Sequence, residues 1–305
     1  MNFFQDKYTK SVRTYKAGGA NVFLWHVYGY LRKKGVLFVS HLPFFRHDLY
    51  EQNIFGQKMY LNKYDSGLSA ELAVFRVHEP FSTALLKSKI KPGMRVVDIG
   101  ANLGYYVLQE ARIVGPNGLV IAIEPGIESL DYLRRNVAIN GYSNVHIHNV
   151  AVGSVDGVGK LYKANDRNLY SLIQREGTHG SSVDISIVCL DNLLEEEGRI
   201  DYIRMDIEGY EIEAIKGMRL TLKKYKPGMT IEIHPFIIGT EATTQFLIQI
   251  KELGYEITHL VPRVCDSSFV KWNKCIKTTS IDTLLNDPRI LSQGDAIMIF
   301  LEAKQ

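Results

Sequence analysis

The stretch VVDIGANLGYY at residues 96–106 constrains the fold of this chain more than any other. A β-branched apolar run enters an acid, Asp98, then a glycine, Gly100, with a second glycine, Gly104, four positions on. Such a run reads as a buried strand, and the glycines read as a tight turn into a helix. Strand, turn and helix in that order are the first half of a parallel crossover unit, whose sheet needs helices over both faces.

The pattern continues through RVVDIG, LVIAIEP, VHIHNVAVG, VDISIVCL, IDYIRMDIEG, MTIEIHP, YEITHLV and DAIMIFLE, most of them short, β-branched and bounded by Gly, Pro or Asp. Between the first three lie helical spacings at residues 105–114 and 129–139, the latter with Leu130, Leu133 and Val137 on one stripe. A helix at residues 80–88 precedes the first strand. Another at residues 243–253 leads to the last two runs, which are expected to pair antiparallel at one edge. The fold class expected is α/β: a Rossmann-like sheet, mostly parallel, with helices on both faces. A chain of 305 residues holds one such domain, assigned to residues 71–305, and an N-terminal extension at residues 1–70. The extension reads as helical around residues 22–31, with a short strand in KMYLNKY at residues 58–64. It is the expected substrate or partner determinant.

Composition narrows the partners. Charged residues at 23% and apolar residues at 46% describe a folded domain, and a net charge of +3 is too mild for a nucleic-acid footprint. The most apolar early segment is interrupted by Arg32, Lys33 and Lys34 and falls short of the ~20 residues a membrane span needs. Its aromatic residues Trp25, Tyr28 and Tyr30 suit packing on the core, with peripheral membrane contact as the alternative. Three cysteines, Cys189, Cys265 and Cys275, form no C-x-x-C pair and point to neither disulfides nor zinc, which fits a cytoplasmic protein. Oligomeric state is not legible at this level.

Ligands of such sheets lie beyond the carboxyl ends of the strands, so the residues that end each run carry the chemistry. A dinucleotide loop needs a middle glycine for close approach of a pyrophosphate, and here Asn102 stands in its place. That demotes NAD and a dehydrogenase reading. The spacing suits a ligand with no phosphate at this turn: Gly100 admits the backbone, Gly104 lets the helix pack close, and Asp98 supplies negative charge. S-adenosyl-L-methionine, with its sulfonium and zwitterionic tail, has those needs. Glu124 ends the second strand twenty positions after Gly104, where a carboxylate can accept both ribose hydroxyls. Val152, in the segment after the third strand, is placed beside the adenine edge.

In RIDYIRMDIEGYEIEAIKGM, residues 200–207 read as a buried strand, with Asp206, Glu208 and Glu211 gathered at its end and Glu211 in the first turn of a helix. TIEIHP brings Glu232 and His234 to the end of the next strand on one face. These groups could stabilise positive charge, accept a proton, or hold a divalent metal such as Mg²⁺, and no ligand spacing compels the metal.

The motifs DIGANLG, Glu124-Pro125, LDNLL, RMDIEGYE and IEIHP occur in an order that resembles the FkbM family of S-adenosylmethionine-dependent methyltransferases, over roughly residues 67–234. The resemblance implies a seven-stranded methyltransferase sheet and transfer of a methyl group, most often to a hydroxyl oxygen. It implies that Asp98, Gly100, Asn102 and Glu124 serve the cofactor, and that Asp206, Glu208 and Glu211 face the reaction centre. It also puts Glu79 near the methionine end of the cofactor. Arg204 stands where many members have Lys. The expected acceptor is a small-molecule, glycan or lipid-linked hydroxyl, with His234 the expected base beside Asp206 and Glu208. A non-catalytic protein that keeps the fold is the competing reading, and the intact loop and acidic motif disfavour it.

Overall fold

Side chains at alternate positions along a strand go to opposite faces of its sheet, and the central runs are apolar on both. Val97, Ile99, Ile121 and Ile123 join one buried cluster, while Val96, Val120 and Ala122 join the other. The computed structural model describes residue 31 and residues 49–163, 170–174, 182–263, 266, 278–286 and 296–304. The helix expected around residues 22–31 lies, Leu31 apart, outside the described residues, as do Cys265 and Cys275.

Strands β1 (Leu49–Ile54) and β2 (Gln57–Asn62) form an antiparallel hairpin. The chain then builds β3 (Arg95–Ile99), β4 (Leu119–Ile123) and β5 (Val145–His148), side by side and parallel. Four short strands follow, β6 (Ala151–Gly153), β7 (Gly157–Lys163), β8 (Tyr170–Ser171) and β9 (Val183–Cys189). The chain returns with β10 (Tyr202–Met205), β11 (Gly228–Ile233), β12 (Tyr255–Pro262) and β13 (Ile297–Ala303). The main sheet has seven strands in the order β12-β13-β11-β10-β3-β4-β5. Only β13 runs against its neighbours, pairing antiparallel with β11 and β12. Because the chain winds outward from β3 through β4 and β5 and then crosses to β10, the strand order reverses between β3 and β10. A crevice opens at such a reversal.

Helices occupy the expected places: Pro80–Lys89, Tyr105–Val114, Ile127–Ile139 and Thr240–Glu252. Two strand readings need correction. VDISIVCL is not part of the main sheet; it is β9 of a four-stranded sheet ordered β6-β9-β7-β8. Its polar residues Asp184 and Ser186 keep one face wet, which suits a largely antiparallel sheet and not a doubly covered centre. VHIHNVAVG is two strands in two sheets. Asn149 makes the break, its Nδ2 donating to the carbonyls of Glu124 and Pro125 at 2.9 and 3.0 Å.

The hairpin β1–β2 packs on the same core as the main sheet, with Met59 and Leu61 in the cluster that holds Leu103, Leu108 and Leu133. Among the described residues no helix is long and apolar enough to cross a membrane.

Candidate functional site

At the end of β3, Gly100 has φ +83° and lies so close to β10 that an added Cβ would collide with the Asp206 carbonyl. A side chain there would part the two strands at the point where their order reverses. Gly104, at φ +94°, lets the next helix approach Leu133, whose Cδ1 would stand 2.8 Å from a Cβ. Asn102 sits between them at φ +48°; its side chain caps the turn by accepting the Leu103 N–H at 2.8 Å, and Asn tolerates that left-handed region better than most residues.

Glu124 at the end of β4 accepts two backbone donors, Asn102 N–H at 2.7 Å on Oε2 and Gly126 N–H at 2.7 Å on Oε1. Both oxygens keep lone pairs for further donors. Burial raises this carboxyl to about 7, against the pull of the two hydrogen bonds. Around it lies a cleft lined by Gly100, Asn102 and Glu124, by Ala151 and Val152 from β6, and by Asp206, Ile207 and Glu208 after β10. Leu161, Tyr170, Ser171 and Leu172 of the second sheet form its outer wall. Three carboxylates and no Lys or Arg line it among the described residues. Such a lining repels a diphosphate and attracts a cation.

Asp98, Gly104, Glu79 and His234 do not line the cleft; His234 lies buried behind Asp206 and Glu208. Asp98 is fully buried and accepts Arg204 Nη1 at 2.8 Å. The same guanidinium donates from Nη2 to Asp206 at 3.2 Å and lies 4.1 Å from the ring centre of Tyr106. Burial opposes the charge of Arg204, but Asp98 and Asp206 more than offset it and hold the group protonated. Arg204 and Asp98 are direct cross-strand neighbours on β10 and β3. Glu79 is buried against Arg263, with Tyr106 donating its hydroxyl to Oε2 at 2.6 Å and His78 Nε2 at 3.2 Å from Oε1. Asp98 and Arg204 thus anchor Asp206 from within the sheet, and Glu79 joins them through Tyr106.

The strand expected to reach Ile207 stops at Met205, because Glu208 at φ +54° and Gly209 at φ +104° turn the chain. Glu211 then opens the helix Glu211–Lys216, fully buried. Its Oε1 accepts the Gly209 N–H at 2.9 Å and lies 2.8 Å from His234 Nδ1. Since Glu211 is the acceptor in the first contact, Nδ1 is assigned as the donor in the second. His234 Nε2 then points toward Glu208 Oε2 at 3.7 Å and Asp206 Oδ1 at 3.9 Å. Burial works against an imidazolium, but the hydrogen bond and charge of Glu211, followed by Glu208 and Asp206, lift His234 to about 9. That departs from the near-neutral titration expected of an imidazole, and the unshielded carboxylates are the reason.

Asp206, Glu232 and His234 each offer an atom within 4.8 Å of the others, so they could surround a cation. Arg204 already holds the other Asp206 oxygen, Oδ2, at 3.2 Å, so a cation there would share that carboxylate with the guanidinium.

Sequence reasoning gave no site role to Arg204, Tyr106, Arg263 or Tyr170. Opposite charges inside two apolar runs, Asp98 in VVDIG and Arg204 in YIRM, were a usable signal for the first. Tyr170 had none, because a two-residue strand has no period.

The profile of the methyltransferase FkbM domain matches residues 98–257, more than half of the chain. Methyltransferase sdnD of Sordaria araneosa is 28% identical over 40% of this chain and 60% of its own length. Protein-L-isoaspartate O-methyltransferase 1 of Archaeoglobus fulgidus is 39% identical over 18% of this chain and 26% of its own. The chain therefore spans from a quarter to three fifths of these relatives. Among solved structures, methyltransferase FkbM from Methylobacillus flagellatus superposes with a TM-score of 0.41 at 17% identity, covering 78% of this chain and 54% of that one.

Proposed function

The chain belongs to the FkbM methyltransferase family, and from that premise we propose that it transfers the methyl group of S-adenosyl-L-methionine to a hydroxyl oxygen. The observation that carries this reading is the cleft lining: a carboxylate at the end of β4, acids at the end of β10, and no basic side chain among the described residues. Glu124 holds the ribose hydroxyls, Gly100 and Asn102 present backbone to the cofactor, and Ala151 and Val152 flank the adenine. S-adenosyl-L-methionine supplies an electrophilic methyl group on a sulfonium cation. Asp206 and Glu208 face that positive charge.

The protein's work is alignment and proton management. A neutral hydroxyl attacks poorly, and a base within hydrogen-bond reach takes its proton as the new bond forms. His234 is that base, through Nε2, with Glu211 fixing the tautomer from the other side of the ring. Glu208 and Asp206, which add to the lift that Glu211 gives His234, also face the expected cation. A positive charge there counters their field and lowers the imidazole's hold on its own proton. Proton acceptance is thereby tied to a loaded site. The acceptor is a small-molecule, glycan or lipid-linked alcohol. Phe236, 54% exposed and edge-on to His234, offers it an apolar rim.

Calorimetric titration of S-adenosylhomocysteine into the protein tests the cofactor reading, with NAD as control. Saturable binding of the first and none of the second is expected; the reverse sinks it. Once an acceptor is found by screening alcohols for homocysteine-nucleoside release, His234→Ala is expected to lose at least 10²-fold in turnover. Near-normal turnover with an unchanged pH profile would remove His234 as base.

A further inference from the structure

The short strand β8 and the residues after it, 170–174, run over the cleft from the ribose side to the acidic turn. Tyr170 lies against Gly126, which has no room for a Cβ beneath that ring. Ser171, 8% exposed, uses its hydroxyl twice. It accepts the Ile173 N–H at 3.0 Å, so its own hydrogen is directed elsewhere, and it donates to the Glu208 carbonyl at 3.1 Å.

That carbonyl and the Gly209 N–H belong to one planar peptide unit, so fixing the oxygen fixes the hydrogen. The Gly209 N–H meets Glu211 Oε1 at 2.9 Å, and the same oxygen meets His234 Nδ1 at 2.8 Å. Glu211 has little else to hold it, since its Oε2 is buried without a hydrogen-bond partner. The peptide sits in a strained place as well, with Glu208 at φ +54°. Left-handed backbone at a residue other than Gly, Asn or Asp persists only where its surroundings over-determine it.

We infer that Ser171 is a positioning residue for His234, acting through the 208–209 peptide and Glu211, and that Tyr170 makes this link responsive to the cofactor. The inference rests on the reading of His234 as facing the reacting centre. It adds a residue from the second sheet, outside the acidic motif, to the set that sets the imidazole's orientation. A ligand on Glu124 touches Tyr170 in the cleft wall, and β8 carries the contact to the turn one residue later.

The test needs no acceptor. Protein labelled with ¹⁵N in its histidine rings is examined by NMR for the Nδ1–H proton of His234, held by Glu211; His234→Ala assigns the signal. His78, whose Nδ1 lies 2.7 Å from Glu71 Oε2, outside the chain of contacts from Ser171 to His234, supplies an internal control. In Ser171→Ala the His234 signal is expected to shift or broaden away while the His78 signal stays, and Ser171→Thr is expected to restore it. Adding S-adenosylhomocysteine is expected to move the His234 signal in the wild type, and Tyr170→Ala to abolish that response. An unchanged His234 signal in folded Ser171→Ala overturns the positioning role. A response to cofactor that survives Tyr170→Ala overturns the link. These readouts report geometry, so they are independent of whether His234→Ala later retains turnover.

Discussion

At the residue scale, Glu124 shows how one carboxyl can carry a site and cost the fold something. It is 5% exposed, and burial raises it to about 7 even though two backbone N–H groups favour its ionised form. An acid raised in the folded state binds more protons there than unfolded between about 4.5 and 7, so its contribution to stability falls as pH rises through that window. On the proposed reading ribose hydroxyls donate to the ionised form of Glu124, so the ligand favours the deprotonated group. Affinity for S-adenosylhomocysteine is accordingly expected to rise from pH 6 to pH 8, by up to about tenfold per unit below the carboxyl's titration. Binding should release protons, which calorimetry in buffers of different ionisation enthalpy detects. Glu124→Gln is expected to bind at least about tenfold more weakly and to lose the pH dependence. His234 runs with the same sign in a higher window: raised to about 9, it favours the fold most below about 6.5 and loses that contribution as pH climbs through 9.

At the element scale, the cleft depends on β3 and β10 lying side by side with a buried ion pair between them. Arg204 holds Asp98, which is 0% exposed and has a second oxygen without a partner, and it reaches past the strand end to Asp206. Removing one member of a buried pair leaves the other charge uncompensated, at a cost of about 3–5 kcal/mol. Arg204→Met is therefore expected to lower stability to denaturant by that amount and to weaken S-adenosylhomocysteine binding, as Asp206 loses its anchor. Arg204→Lys, the residue many family members carry, should recover most of the stability. A paired charge, not the guanidinium shape, is then the requirement. A loss under 1 kcal/mol in Arg204→Met would show that Asp98 is simply neutral in the fold.

At the scale of the whole molecule, the hairpin β1–β2 is tied to the cofactor loop by one side chain. Asn136, buried on the helix Ile127–Ile139, accepts the Tyr60 N–H at 2.6 Å and donates to the carbonyls of Tyr60 at 3.2 Å and Leu103 at 2.8 Å. Leu103 lies in the turn between Gly100 and Gly104, so the hairpin, the helix and the loop share this amide. Asn136→Ala would leave one buried and two part-buried backbone groups short of a partner, at about 1–3 kcal/mol for each not reached by water. The expected result is a fall in melting temperature together with weaker S-adenosylhomocysteine binding. Normal affinity in a destabilised variant would mean that the loop is held by its own contacts and that the hairpin is only cover.

Much of this was written locally. The alternation of apolar strands with helical stripes determined a layered sheet, because burial on both faces demands it. The glycines at 100 and 104, the carboxylate at 124 and the acids from 206 to 211 marked the strand ends at which the cleft lies, because turn geometry and charge act over a few residues. What the linear pattern could not state is which strands are neighbours. That Asp98 meets Arg204, that Glu211 serves both the Gly209 N–H and His234, and that a two-residue strand from a second sheet closes the cleft are long-range contacts. Only the tertiary structure decided them. Their strength comes from burial, which turns an ordinary carboxylate or imidazole into one whose proton is set by what the fold has placed around it.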